Sequence, residues 1–419
     1  MSISSIKWLR RLLLTSIYAL GVLGVVGSGG GGGSTGSYSD LCSDGACDCV
    51  QDPNTTCGAV IVEVTGHYVN SIAVALDSSD DVYVGGYFTT FENSAAHSIA
   101  RLNNDGSLDT GFVTGTGFTS TVSTIAPAND GSGDVYVGGG FASYDSTPVG
   151  YIARLNLDGT LDTSFDTGTG FNSNVTNIAP ATDGSGDVYV SGYFTSYNGI
   201  AVGSGLIRLN DDGSIDAGFS TGSGWGKEGI ALATDGSGDV YVAKSTSPGI
   251  ARLNDNGSID TGFDTGPSGF NNGVRAIAVA TDGSIYAAGN FTDYNGTGTN
   301  DLARLHPDGS FDSGFDAGAG FVGTVDFITP AIDGFGDLYV GGQFLDYNGM
   351  AIGSIARLNL VGALDTNFDT GTGFNDATSS VALAIDGSGD VYVGGWFTLY
   401  KSSPVARMVR LTAGGAFVR

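Results

Sequence analysis

From Val60 onward, short apolar runs alternate with clusters of Gly, Asp, Ser and Asn, and no stretch keeps a helical period. One unit shows the pattern. Val175 to Ala179 is a brief apolar run, Asp183-Gly184-Ser185-Gly186-Asp187 is turn chemistry, and Val188 to Phe194 is rich in β-branched and aromatic residues. Ser196 to Gly205 is a Gly-rich loop. Leu206 to Asn210 is a third run, Asp211-Asp212-Gly213 a tight turn, and Ile215 to Phe219 a fourth run. The spacing predicts four strands. Ile152-Ala153 and Leu155 are apolar on both faces of their strand, so each sheet needs cover on both sides.

The unit recurs seven times. Its central tyrosines are Tyr83, Tyr136, Tyr189, Tyr241, Tyr286, Tyr339 and Tyr392, at intervals of 53, 53, 52, 45, 53 and 53. Five residues after each lies a Phe, at Phe88, Phe141, Phe194, Phe291, Phe344 and Phe397, missing from the fourth unit. An Arg-Leu pair follows, with Arg101, Arg154, Arg208, Arg252, Arg304, Arg357 and Arg410. An Asp-x-x-Phe ending closes six of the units. Four strands in a unit of this length predict an all-β fold, a seven-bladed β-propeller of four-stranded blades. Ala59 to Val64 is a further strand about one period before Phe112, and it is expected to complete the last blade and close the ring.

Segments such as Ile152-Ala153-Arg154-Leu155-Asn156-Leu157-Asp158-Gly159-Thr160-Leu161-Asp162-Thr163-Ser164-Phe165 and Val188-Tyr189-Val190-Ser191-Gly192-Tyr193-Phe194 are similar to the delta-sixty repeat. That is a β-propeller family of bacterial exported proteins of mostly undefined function. The resemblance covers roughly Val60 to Arg419 and implies the fold and an exported location. It brings no catalytic residues with it.

The N-terminus supports export. Lys7, Arg10 and Arg11 precede an apolar run from Leu12 to Val26, followed by small residues, which reads as a signal peptide over residues 1–28. A Gly/Ser-rich linker spans 29–41. Cys42, Cys47, Cys49 and Cys57 form a Cys-rich segment over 42–58, read as two disulfides with three connectivities open. The propeller occupies 59–419. With the signal removed, no integral membrane segment is expected.

Composition narrows the partners. The net charge is −27, and 43 acidic residues face 16 basic ones. That balance argues against nucleic acid and anionic membranes. Only Glu63, Glu92 and Glu228 are Glu, so nearly all the acid is Asp, a turn residue.

Candidate chemistry is sparse. The seven arginines and the repeated phenylalanines are expected to serve the blades. The Asp-Gly-Ser-Gly-Asp turns offer Asp130 with Asp134, Asp183 with Asp187, Asp235 with Asp239, Asp333 with Asp337 and Asp386 with Asp390 as candidate calcium ligands. Tyr144, Tyr197, Tyr294, Tyr347 and Tyr400 each lie three residues beyond the repeated Phe; they would form a stacking or hydrogen-bonding surface if they reached solvent, whereas their fixed position within the blade argues for packing. The fourth unit is short and carries Trp225, Lys227 and Lys244, a candidate binding notch. No Gly-x-Ser-x-Gly elbow is present, and the histidines are scattered. The expected role is an exported module that binds protein or glycan at the cell surface, with calcium as a candidate stabiliser. A propeller-fold hydrolase or lyase and a passive structural component of an envelope layer are the alternatives.

Overall fold

The computed structural model describes residues 64–418, apart from 92, 93, 204, 223, 224, 226, 227 and 333. Lys227, Asp333, the four cysteines and the signal, linker and Cys-rich segments therefore lie outside the described residues.

Seven antiparallel blade sheets follow one another along the chain. In the third, Val188–Gly192 pairs with Val175–Pro180 on one side and Leu206–Leu209 on the other. Its Val190 stands opposite Ile178 and Ile207, and all three are buried. Both faces of the sheet are covered. Ile178, Val190 and Val188 share one core with Ala126, Tyr136 and Ile152 of the second blade. Each such aliphatic residue contributes about 1.5–3 kcal/mol by leaving water.

The fourth strand is shorter than the sequence pattern suggests. It is reduced to one bridging residue per blade, as in Leu209 with Ile215 and Leu155 with Leu161. The reason is the next Asp. Asp162 Oδ1 accepts the Ser164 N–H (2.8 Å), and the turn it caps drives Phe165 inward against Tyr136. A two-residue ribbon, Ser196–Tyr197 with Ile200–Ala201, projects beside the main sheet.

The ring closes on itself. First strands of consecutive blades lie against one another all the way round, so they line the axis. Between blades one and two, the Ile125 N–H donates to Ser71 Oγ (3.0 Å), and Arg101 donates to the Leu157 carbonyl (3.1 Å). Between blades seven and one, the Ile72 N–H donates to Ser380 Oγ (3.1 Å), and Arg410 donates to the Asn104 carbonyl (3.5 Å). The last seam repeats the first. The N-terminal strand, Val64–Val74, pairs inside the first blade and packs its face on the last. The outermost position of the last blade is held by its own Phe417, bridged to Leu411. Among the described residues, the N-terminal strand closes the ring by packing on the last blade. Ala59 to Glu63 lie outside the described residues.

Candidate functional site

The two ends of the propeller differ in chemistry. One end carries the Asp-Gly-Ser-Gly-Asp turns that join first and second strands. There the repeated arginines meet carboxylates, up to three apiece. Arg154 meets Asp130 (2.6 Å), Asp134 (2.9 Å) and Asp162 (3.3 Å), and its guanidinium lies over the Tyr136 ring. Arg252 holds Asp235 (2.5 Å) and Asp239 (2.8 Å), and Arg410 holds Asp386 (2.6 Å) and Asp390 (2.9 Å). Asp187 and Asp337 lie 3.5 Å from Arg208 and Arg357. Asp183 Oδ1 accepts the Ser185 N–H (2.9 Å). Burial works against the Asp130 charge, yet hydrogen bonds from Ser132 and the charge of Arg154 outweigh it and hold the carboxyl below its ordinary range. Most of the carboxylates that the sequence offered to calcium are therefore paired with a guanidinium. Among the described residues, no group of three or more His, Cys, Asp or Glu side chains is arranged to hold a metal.

The five loop tyrosines do not reach solvent. Tyr144, Tyr197, Tyr294, Tyr347 and Tyr400 are all at most 2% exposed. The Tyr197 hydroxyl donates to the Gly213 carbonyl (2.7 Å), and Tyr294 does the same to Gly309 (2.5 Å). Each ring packs with the phenylalanine that ends the tail of the preceding blade, and that phenylalanine also meets the repeated Phe. Phe171 lies 4.1 Å from Phe194 and 4.6 Å from Tyr197, centroid to centroid. The stacking-surface reading of these tyrosines is corrected: they lock each blade to the tail of the one before it.

The fourth-blade notch is corrected by the same comparison. Trp225 occupies the tail position that Phe171 holds one blade earlier. Its blade lacks the Phe and Tyr partners, so the larger indole fills the space, 9% exposed. Its Nε1–H donates to the Thr221 carbonyl (2.8 Å), and Lys244 Nζ sits 4.3 Å over the ring. These two side chains satisfy each other.

The opposite end of the ring holds residues that the repeat leaves free to vary. In Gly-Gly-x-Phe, the x residue donates its N–H to the residue just before or at the start of the first strand, as Tyr193 does to Asn174 and Trp396 to Ala377 (2.9 Å each). The x positions therefore surround one mouth of the axis. They are Tyr87, Gly140, Tyr193, Ser245, Asn290, Gln343 and Trp396.

At the seam of blades seven and one, this mouth becomes a row of aromatic rings. Trp396 stacks on Tyr68 (4.1 Å, 22°), Tyr68 adjoins Tyr87 (6.0 Å), and Tyr87 stacks on His67 (5.3 Å, 12°). Tyr87 is 44% exposed, His67 is exposed, and Tyr68 and Trp396 are half-buried. The Trp396 carbonyl accepts a hydrogen bond from Arg407, which fixes the backbone beneath the indole.

Inside the mouth, β-bulges in the first strands of every blade but the fourth leave a residue outside the ladder. Most are small and neutral, such as Ser123, Thr176 and Ser379. Blades five and six instead place Arg275 and Asp326 there, 3.5 Å apart. Burial pushes the Asp326 carboxyl up to about 6, with Arg275 opposing only in part.

None of this aromatic row was singled out by the sequence pattern. The signal was present at the x position, where large rings and small residues alternate within an otherwise fixed motif.

Comparison with known proteins agrees with the architecture. A search of curated proteins found no match. Among solved structures, the chain is similar to the WD40 beta propeller domain of Doa1, with 16% identity, a TM-score of 0.54, and coverage of 81% of this chain and 96% of that one. This likeness speaks to fold alone. The family model described as "Domain of unknown function (DUF5122) beta-propeller" matches residues 79–112, 131–165, 184–219, 234–263, 280–315, 336–368 and 387–417, one segment per blade. The blades, their number and these seven matches place the chain in the DUF5122 beta-propeller family.

Proposed function

We propose that the protein is an exported binding module of the cell surface, and that it engages glycan at the aromatic mouth. The row from His67 through Tyr87 and Tyr68 to Trp396 carries this reading. Flat rings, partly exposed and held by neighbours on rigid strands, suit the apolar faces of sugar rings, while their hydroxyl and ring nitrogens suit sugar hydroxyls. Such a surface costs little ordering entropy when it binds. The signal-like N-terminus supports the exported location.

The test is a glycan binding screen with the protein and its Trp396→Ala variant. The protein should retain a glycan that the variant loses by about tenfold or more in affinity, a change of roughly 1.4 kcal/mol. Equal retention by both would remove the mouth as the site. A protein ligand lost on the same substitution would keep the site and change the ligand class.

The calcium reading has its own check. A ligand of the folded state alone raises stability as its concentration exceeds its dissociation constant. Because guanidinium groups already neutralise the turn carboxylates, Tm should be the same in calcium and in chelator. A rise in calcium would show that the turns open to a cation.

A further inference from the structure

Seven equivalent blades give each surface position an internal standard. By that standard, blade six is an exception. Of the thirteen large exposed apolar side chains among the described residues, seven belong to it. Four gather at its turn end: Phe335 (77% exposed), Val361 (55%), Leu360 (45%) and Ile332 (44%).

Phe335 and Val361 stand where most other blades use a polar residue with a local task. Phe335 replaces Ser132, whose Oγ accepts the Asp134 N–H (3.0 Å) and a bond from Arg154 (3.3 Å). Val361 replaces Asp158, whose Oδ1 accepts the Thr160 N–H (3.0 Å). Blade six gives up both clasps. Asn359 Oδ1 compensates for the second by accepting from the Val361 and Ala363 N–H groups (3.1 and 3.0 Å). A local rule is broken and water-facing apolar surface is gained, which is the mark of a site kept for something other than the fold.

Two turns meet at the patch. Leu360 lies so close over Gly336, next to Phe335, that a Cβ on that glycine would come within 2.9 Å of it. Arg304 of blade five donates to the Leu360 carbonyl (2.6 Å), and the Asp316 N–H donates to the Val361 carbonyl (3.0 Å). The backbone is held from behind while the side chains face outward.

Charge selects the occupant. Asp316 is exposed beside Val361, and the whole chain carries −27. A second copy would bring the same negative charge to the contact. We propose that the turn end of blade six docks a protein segment that presents an apolar side chain between basic residues. This surface lies at the opposite end from the aromatic mouth, so the propeller would hold two ligands at once.

The test uses a short fluorescent peptide of alternating Leu and Lys, with a Leu–Glu peptide as control, against the full folded protein and a Phe335→Ser, Val361→Asp variant. Both replacements are residues that other blades carry at these positions, so folding should persist, which thermal unfolding checks. The Leu–Lys peptide should bind and the Leu–Glu peptide should not. The variant should lose about tenfold in affinity. The added Asp makes that loss diagnostic, because attraction by charge alone would strengthen. Equal or tighter binding by the variant, or no binding by the native protein, overturns the proposal. Sedimentation velocity supplies the remaining arm: a dimer that the variant abolishes would make a second copy the occupant and overturn the basic partner. Trp396→Ala should leave peptide binding unchanged, which separates this surface from the mouth.

Discussion

Arg154→Met should destabilise the protein by about 3–5 kcal/mol, because removing one partner leaves buried charge without compensation. Asp130, Asp134 and Asp162 all converge on that guanidinium, and the last two are almost wholly buried. Methionine keeps much of the stem volume over Tyr136 and supplies no charge. The pH dependence distinguishes this from a simple packing loss. In the native protein the Asp130 pKa is depressed, so its contribution is present above the unfolded carboxylate pKa and is lost as the pH falls through the folded value. In the variant a proton is the remaining way to neutralise the cluster. Its stability should therefore rise as the pH is lowered from 7 toward the carboxylate range, where the native protein gains nothing from Asp130. Urea unfolding of both proteins across that range measures the difference. Parallel curves would mean that the arginine acts through packing alone.

Gly192→Lys should cost about 3 kcal/mol or more, as overpacking against backbone does, while Lys244→Gly should cost little. The two positions are equivalent in blades three and four, so this pair exchanges what nature placed there. A Cβ at Gly192 would lie 2.2 Å from the Asn174 carbonyl oxygen. The same approach, 2.2 to 2.3 Å, recurs at Gly86, Gly139, Gly289, Gly342 and Gly395. In blade four the first strand is only Ile230–Leu232, so the ladder stops short of Lys244. The lysine stem turns instead across Trp225. Thermal unfolding checks both variants. A tolerated Gly192→Lys would show that the first strand can move away from its neighbour, and would undo the steric account of the broken unit.

Function in such a ring is carried by departures from the repeat. The arginine–carboxylate clusters and the buried Tyr–Phe sets recur because every blade needs them. Trp225 departs from the repeat only to refill a space that its blade left empty. The departures at Tyr87, Phe335 and Val361 leave large side chains exposed, and Trp396 stands half-buried at the mouth. That contrast separates structural exceptions from candidate sites.

The periodic marks made the fold legible in the sequence. Seven tyrosines at nearly constant spacing, each amid β-branched residues and followed by Asp/Gly turns, specify local structure, and local structure repeated seven times leaves few ways to bury both faces of every sheet. The role of the arginines was legible for the same reason, since a cation present in every unit meets the carboxylates present in every unit. The fixed place of Tyr197 and its equivalents in each blade argued for packing, but what covers them was not legible. Sequence spacing places them in a loop, but only the tail of the preceding blade, folded across them, buries the rings and takes their hydroxyls. Nor could the sequence join Tyr68 to Trp396. Those residues lie at opposite ends of the chain and meet only because the ring closes, and exposure and stacking across a seam are properties of assembled surfaces rather than of any one unit.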